Sequence, residues 1–134
     1  MFGAFDISAS ALTAQRTRLD TISSNIANID SVLGPDGKPA PYRRIFPVFQ
    51  SHRTSDGGMG VGVKAIEQDP SAFIQKFEPW NEQARDSRGW VKYPNVNLST
   101  EYVNALETTR AYEANVTAIE TTKSMMNSTL RVLA

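Results

Sequence analysis

A chain of 134 residues with fourteen acidic and fourteen basic side chains, one histidine and no cysteine has room for one compact domain, or for a long helical element with a small insert. The balanced charge leaves no basic field to draw nucleic acid or an anionic lipid surface, and the missing cysteine removes disulfide frameworks and thiolate metal sites. No run approaches the roughly 18 apolar residues of a spanning helix, so membrane insertion is not expected, and MFGAFDISASAL lacks the basic and continuous apolar stretches of a Sec-type leader.

In chain order, the first signal is Phe5, Ser8, Leu12, Gln15, Leu19, Ile22, Ile26 and Ile29, stepping by threes and fours without proline or glycine. A strict 3-4 repeat holds one narrow apolar seam, so the spacing predicts a helix over about 5–29 that lies against another helix. Its length would be roughly 38 Å. Asp6 or Ser8 is suited to cap its start. Ala9, Ala11, Ala14 and Ala27 beside the seam allow a neighbour to come close. Asn28, Asp30 and Gly34-Pro35-Asp36-Gly37 stop the helix.

Residues 33–95 hold all seven prolines and every glycine but Gly3, and here the period changes to two. Arg44–Phe49 has strand-type residues, with Pro47 confining it to an edge or a break. Met59–Ile66 alternates after Asp56-Gly57-Gly58, a hairpin-compatible turn. Ala72–Phe77, ended by Pro79, and Gly89–Pro94 are two further short strands. Together they predict a small β-rich insert with an aromatic core of Phe46, Phe49, Phe73, Phe77, Trp80, Trp90 and Tyr93.

The 3-4 repeat returns in Tyr102, Ala105, Thr109, Tyr112, Val116, Ile119, Lys123, Met126, Leu130 and Leu133. It predicts a helix over about 98–133, roughly 54 Å long, opened near Asn97 or Ser99. Glu101 and Glu107 suit the positive end of its dipole, and Lys123 and Arg131 the negative end. The expected fold is mainly α: long N- and C-terminal helices (1–32 and 96–134) forming a coiled coil, with the β-rich insert (33–95) between them. The helices are unequal, so the longer cannot bury its whole stripe on the shorter, and the remainder calls for another chain. Gln15, Thr109 and Lys123 are polar seam positions of the kind that fix register.

Catalytic chemistry finds no support. His52 lies in the polar run Gln50–Ser55, without the orienting partner and pocket that a general base needs. Asp36, Asp56, Asp69 and Asp86 lack metal-loop spacing and read as turn formers. Gly58–Lys64 fails as a phosphate loop, because valine separates Gly62 from Lys64 and a strand pattern follows. The Asn-x-Ser/Thr triplets at Asn97, Asn115 and Asn127 read as chance. The chain is expected to be no enzyme and to use no cofactor and no metal.

The terminal segments resemble the bacterial flagellar rod and hook protein family. Ala11–Leu19 followed by Ser24-Asn25-Ile26-Ala27-Asn28 is similar to that family's N-terminal signature. Arg110-Ala111-Tyr112-Glu113-Ala114-Asn115, in a helix continuing to Lys123-Ser124-Met125-Met126, is similar to its C-terminal one. Gly34–Pro39, Gly60–Val63 and Gly89–Asn97, with the short length, resemble the proximal-rod member. Only Glu78-Pro79-Trp80-Asn81-Glu82 departs from the pattern.

The resemblance implies a structural subunit of the proximal rod, exported by the flagellar type III route rather than by Sec. Its coiled-coil helices would line a tube that transmits torque across the periplasm. The partners it implies are copies of itself, other rod proteins and the rod–export-gate junction protein, joined in a homo- and hetero-oligomeric helical assembly. The residues expected at subunit interfaces are Leu12, Gln15, Leu19, Ile22, Ile26, Tyr112, Val116, Ile119, Met126 and Leu130 in the seam. Asn25, Asn28, Arg110 and Asn115 would make polar contacts within or between subunits. In an isolated monomer the terminal helices are expected to be largely disordered. The competing expectation is a soluble coiled-coil adaptor that forms a closed dimer.

Overall fold

The structure, a computed structural model, describes residues 2–134. Helix α1 spans Phe2–Ala27. It begins earlier than the repeat predicts, so Asp6 and Ser8 lie inside it and do not cap it. Asp6 instead accepts a hydrogen bond from the Ser55 hydroxyl (3.3 Å). The helix ends where Asn28 turns back on it: both the Asn28 backbone N–H and its side-chain amide donate to the Ser24 carbonyl (3.1 and 2.9 Å). That satisfies a carbonyl the helix end would otherwise leave free.

Strands β1 (Ile45–Arg53) and β2 (Met59–Gln68) form an antiparallel pair. Gly57, at φ 83°, makes the turn that Asp56-Gly57-Gly58 predicts. Pro47 sits opposite Ile66, and the register slips just after it, between Val48 and Phe49. Proline cannot donate to a ladder, and a bulge beside it is the usual accommodation. Strands β3 (Ile74–Phe77) and β4 (Trp90–Tyr93) form a second, separate antiparallel pair.

The aromatic core expected for the insert is not what forms. Trp80 is 75% exposed and Phe77 55%, with Phe49 and Trp90 exposed as well, while Phe46, Phe73 and Tyr93 are half-buried. Two-stranded sheets offer no second layer to cover large rings. The buried apolar side chains of the insert and the segment after it are Ala84, Val91, Pro94 and Val96.

Helix α2 spans Leu98–Leu133, capped by Asn97, whose side chain accepts from the Thr100 N–H at 3.1 Å. It runs antiparallel to α1: Asn25 meets Glu101 at one end, Arg18 lies 3.6 Å from Glu107 further along, and Phe2 shares a small apolar hollow with Met126 and Leu130 at the other. α1 also lies on β1 and β2. Gly60 permits this, because a Cβ there would stand 2.7 Å from the Ser10 hydroxyl, which itself accepts from the Val61 N–H (3.1 Å).

Candidate assembly surface

The face that α2 turns to α1 is mostly small and polar, turning apolar at Ile119 and Met126. Glu101 and Thr108 are fully buried, and Asn104, Ala111, Asn115, Ile119, Thr122 and Met126 follow, half-buried, at the spacing of a straight helix. The apolar stripe read from the sequence is offset. Tyr102, Thr109, Tyr112 and Lys123 are exposed, each one residue, or about 100°, past the inner line. Val116, Ile119 and Met126 are half-buried, and Leu130 is exposed. A 3.5-residue repeat on a straight helix drifts by about 20° per heptad, so the stripe starts on the outer flank at Tyr102 and winds inward toward Met126.

On α1 the buried line is Ala14, Thr21, Ile22 and Asn25. Leu12, Gln15, Leu19, Ile26 and Asn28 are half-buried. The Gln15 Oε1 is buried with no hydrogen-bond partner among the described residues. Of the other motif residues, Asn115 donates to the Ala111 carbonyl within its own helix (2.8 Å), and Arg110 is exposed.

Where the two helices and the insert converge, Asn25 is the centre of a buried polar knot. Its side-chain amide donates to the Ile45 carbonyl (2.8 Å) and its oxygen accepts from the Ile45 N–H (2.9 Å), standing in for a neighbouring strand at the start of β1. The same oxygen accepts from the Tyr42 hydroxyl (2.9 Å), and the amide approaches Glu101 at 3.5 Å. The Glu101 carboxylate, buried at the head of α2, receives the Arg44 Nε–H. Arg44 also lies 3.6 Å from Asp69.

Hydrogen bonds from Ser71, through its hydroxyl and then its amide, hold the Asp69 carboxyl below the usual carboxylate range, with Arg44 and Arg43 adding to the effect. Arg43 donates to the Asp69 and Ser71 carbonyls (2.9 and 3.1 Å) and stacks over Phe73. A groove of about 440 Å³ opens beside the knot between α1, β1 and Asn104. This cluster fastens three chain segments together, and its charges are used up in doing so. Arg44, Glu101 and Tyr42 escaped the sequence reading. The only hint was a lone acid in the first turn of a helix, which the dipole already explained.

The outer flank of α2 is the opposite in character. Tyr102, Leu106, Thr109, Glu113 and Glu120 share one face by spacing, and Tyr102 and Leu106 are 58% and 55% exposed. Leu98 and Val103 extend the apolar end of this side. At the far tip, Phe2, Met125, Leu130, Val132 and Leu133 are all exposed. His52 is exposed on β1, and no cluster of three metal-ligating side chains occurs among the described residues. No described helix is long and apolar enough to cross a membrane.

Comparison with known proteins bears on what this surface is for. Residues 5–35 match the family described as "Flagella basal body rod protein", and residues 87–132 match "Flagellar basal body rod FlgEFG protein C-terminal". The chain is similar to "Flagellar basal-body rod protein FlgC" of Yersinia enterocolitica, at 46% identity over 127 residues that cover 94% of this chain and 92% of that protein. It is 44% identical to the protein of that name in Escherichia coli O157:H7 over the same shares. It is 38% identical to that of Bacillus subtilis (strain 168) over a gapped alignment of 146 positions that covers 98% of this chain and 97% of the relative.

Proposed function

The chain belongs to the flagellar basal-body rod protein FlgC family, and from that membership we propose that its paired terminal helices are the element by which subunits pack into the wall of the rod. It is a structural subunit of the flagellar basal-body rod. The finer reading is that α1 and α2 act as a coiled coil lining a helical tube, with the insert (33–95) as a part distinct from the helical segments 1–32 and 96–134. Neighbours are further copies and other rod proteins, with the rod–export-gate junction protein at the base. The tube belongs to the proximal rod and carries torque across the periplasm.

The observation that carries this reading is the exposed apolar flank and tip of α2, set beside an inner face made mostly of Thr, Asn, Ala and Glu, with Ile119 and Met126 its only large apolar members. A helix that buries small polar residues internally and exposes Tyr102, Leu106, Leu130 and Leu133 has its main apolar surface available to other molecules. Contacts between two different faces, related by a rotation that does not close, give an open filament. Under this reading the seam residues Leu12, Gln15, Leu19, Ile22, Ile26, Tyr112, Val116, Ile119, Met126 and Leu130 serve contacts within the pair and to its neighbours. Arg110 and Asn115 are polar contacts on the same wall.

The test is Leu130→Asp in a strain lacking the wild-type copy. Motility and recovery of the subunit in purified basal bodies should be lost, while circular dichroism of the purified protein is unchanged. Normal incorporation would overturn the proposal. A closed dimer instead would appear as a single discrete mass at high concentration.

A further inference from the structure

The β1–β2 pair is a two-stranded ribbon. Both edges of such a ribbon carry backbone groups free to pair with another chain. In an antiparallel pair, alternate residues point their N–H and C=O groups out of the ladder. Ile45 gives both groups to the Asn25 side chain, so it points outward from β1. Pro47, two positions on, points the same way and has no N–H to offer. Just past the end of β1 the Thr54 N–H goes inward, to the Gly58 carbonyl (2.8 Å), so the alternation holds along the strand. On β2 the Val61 N–H donates to the Ser10 hydroxyl and lies on the opposite edge.

One helix thus holds both edges. Ser10 and Asn25 are fifteen residues apart, roughly 22 Å along α1. Ile45 and Ser51, the residue opposite Val61, are six apart, roughly 20 Å along β1. The lengths match, so a straight helix crossing the ribbon seats each side chain on its own edge. Gly60 lets Ser10 come this near. Other parts of the edges are blunted differently. The register skips Lys64, which is exposed, between Val63 and Ala65, and exposed Arg53 ends β1. Bulges and charged side chains both discourage pairing. The uncapped stretch of β1, at Phe49 and Ser51, lies between Pro47 and Arg53.

We propose that α1 is an edge guard. Docked, it stands in for a third strand on both sides of the ribbon; undocked, it leaves the ribbons of separate copies to pair edge to edge. The guard acts on the free chain before any packing, and so goes beyond the rod reading. The chemistry of the contact points to this role. An apolar contact would hold the helix on the face of the ribbon and do nothing for its edges. Asn25 instead offers a donor and an acceptor to one backbone unit, as a paired strand does, and Ser10 offers an acceptor to another. Both side chains bond to the backbone, so the guard answers the ladder itself and not the side chains it carries. Ile45, Phe46, Val48 and Phe49 on β1 and Val61 and Val63 on β2 are strand-favouring residues, which makes unguarded edges ready to pair.

Ser10→Ala removes the cap from the β2 edge. In the purified chain, hydrogen exchange at the Val61 amide should quicken about fivefold, as for one lost hydrogen bond. The initial rate of thioflavin T-positive aggregation should rise by about the same factor. Within the aggregates the Val61 amide should be slow again, because a strand of another copy now receives it. Adding Val61→Pro removes that donor on the outward side alone and should return aggregation to the wild-type rate. Unchanged Val61 exchange or an unchanged aggregation rate in Ser10→Ala would overturn the proposal. So would aggregates in which the Val61 amide stays fast, or a double variant that aggregates as quickly as Ser10→Ala. If Val61→Pro alters the far-ultraviolet circular dichroism of the soluble chain, the exchange reading within the aggregates decides. Asn25→Ala tests the β1 edge at the Ile45 amide, which should be fast in the dilute chain and slow in the aggregates; a fast Ile45 amide there also overturns the guard. None of these readings uses basal bodies, so their failure leaves the rod reading standing.

Discussion

Asn25→Ala should release the insert from the helix pair without unwinding either. The substitution removes three hydrogen bonds of 2.8–2.9 Å, to the Ile45 carbonyl and from the Ile45 N–H and the Tyr42 hydroxyl. A buried group left without its partner costs about 1–3 kcal/mol. Ile45 and Tyr42 are half-buried, so water partly replaces the lost side chain, and the low end applies: roughly 1 kcal/mol each, about 3 kcal/mol in all. At 1.4 kcal/mol per decade this is roughly a hundredfold change in an opening equilibrium.

The direct assay is hydrogen exchange at the Ile45 amide, which Asn25 itself protects. Its exchange should accelerate by about two orders of magnitude. Asn28→Ala is the internal comparison. It removes one bond to the Ser24 carbonyl, so its effect of about 1 kcal/mol should stay within the last turn of α1 and leave Ile45 protected. Acceleration of less than fivefold at Ile45, or an equal effect from both variants, would refute the account of the knot.

Gln15→Leu should raise the stability of the isolated chain by about 1 kcal/mol, measured by urea unfolding, because it replaces a buried unpartnered oxygen with an apolar group. Gly60→Ala should cost about 1–3 kcal/mol through the clash with the Ser10 hydroxyl, and Ser10→Ala in the same chain should recover part of it in the same assay. In dilute monomer, amide exchange should be fast over 2–13 and 112–133 and slow around Thr21–Asn25, Val91 and Val96; uniform slow exchange along both helices would contradict this.

The last prediction concerns acid. Asp69 is held below its ordinary range by Ser71, and Asp86 by the N–H groups of Trp90 and then Arg88. Both bind their proton less tightly folded than unfolded. Their contribution is therefore complete above the unfolded value of about 4 and is lost as pH falls through the lower folded values. Tryptophan fluorescence should report loosening of the Trp90 turn below about pH 4, and Asp86→Asn should flatten that transition.

The helices were legible because length and periodicity agree. The repeat placed α2 at its observed bounds, and the turn residues placed both hairpin strands of the first sheet to within a few positions. What escaped was rotation and partnership. The strict seam starts one position past the inner line of α2 and meets it only at Ile119 and Met126, and a seven-residue period by itself does not reveal which flank of the helix the partner covers. The aromatic residues of the insert were read as core because large rings usually are; in two small two-stranded sheets there is nothing to cover them. Arg44 and Glu101 lie 57 positions apart, and no local pattern links such a pair. Asn25 was legible only through the family motif, and its bonds to β1 were not.

The slow winding of the α2 stripe gives each end of one rigid strut a different attachment. Near Met126 its oily side is answered by its own sister helix, whereas near Tyr102 it is left bare within the single chain. In a rod packed as proposed above, twisting force entering at one end would be handed to a second body before leaving the other, and no solitary joint would carry the whole load.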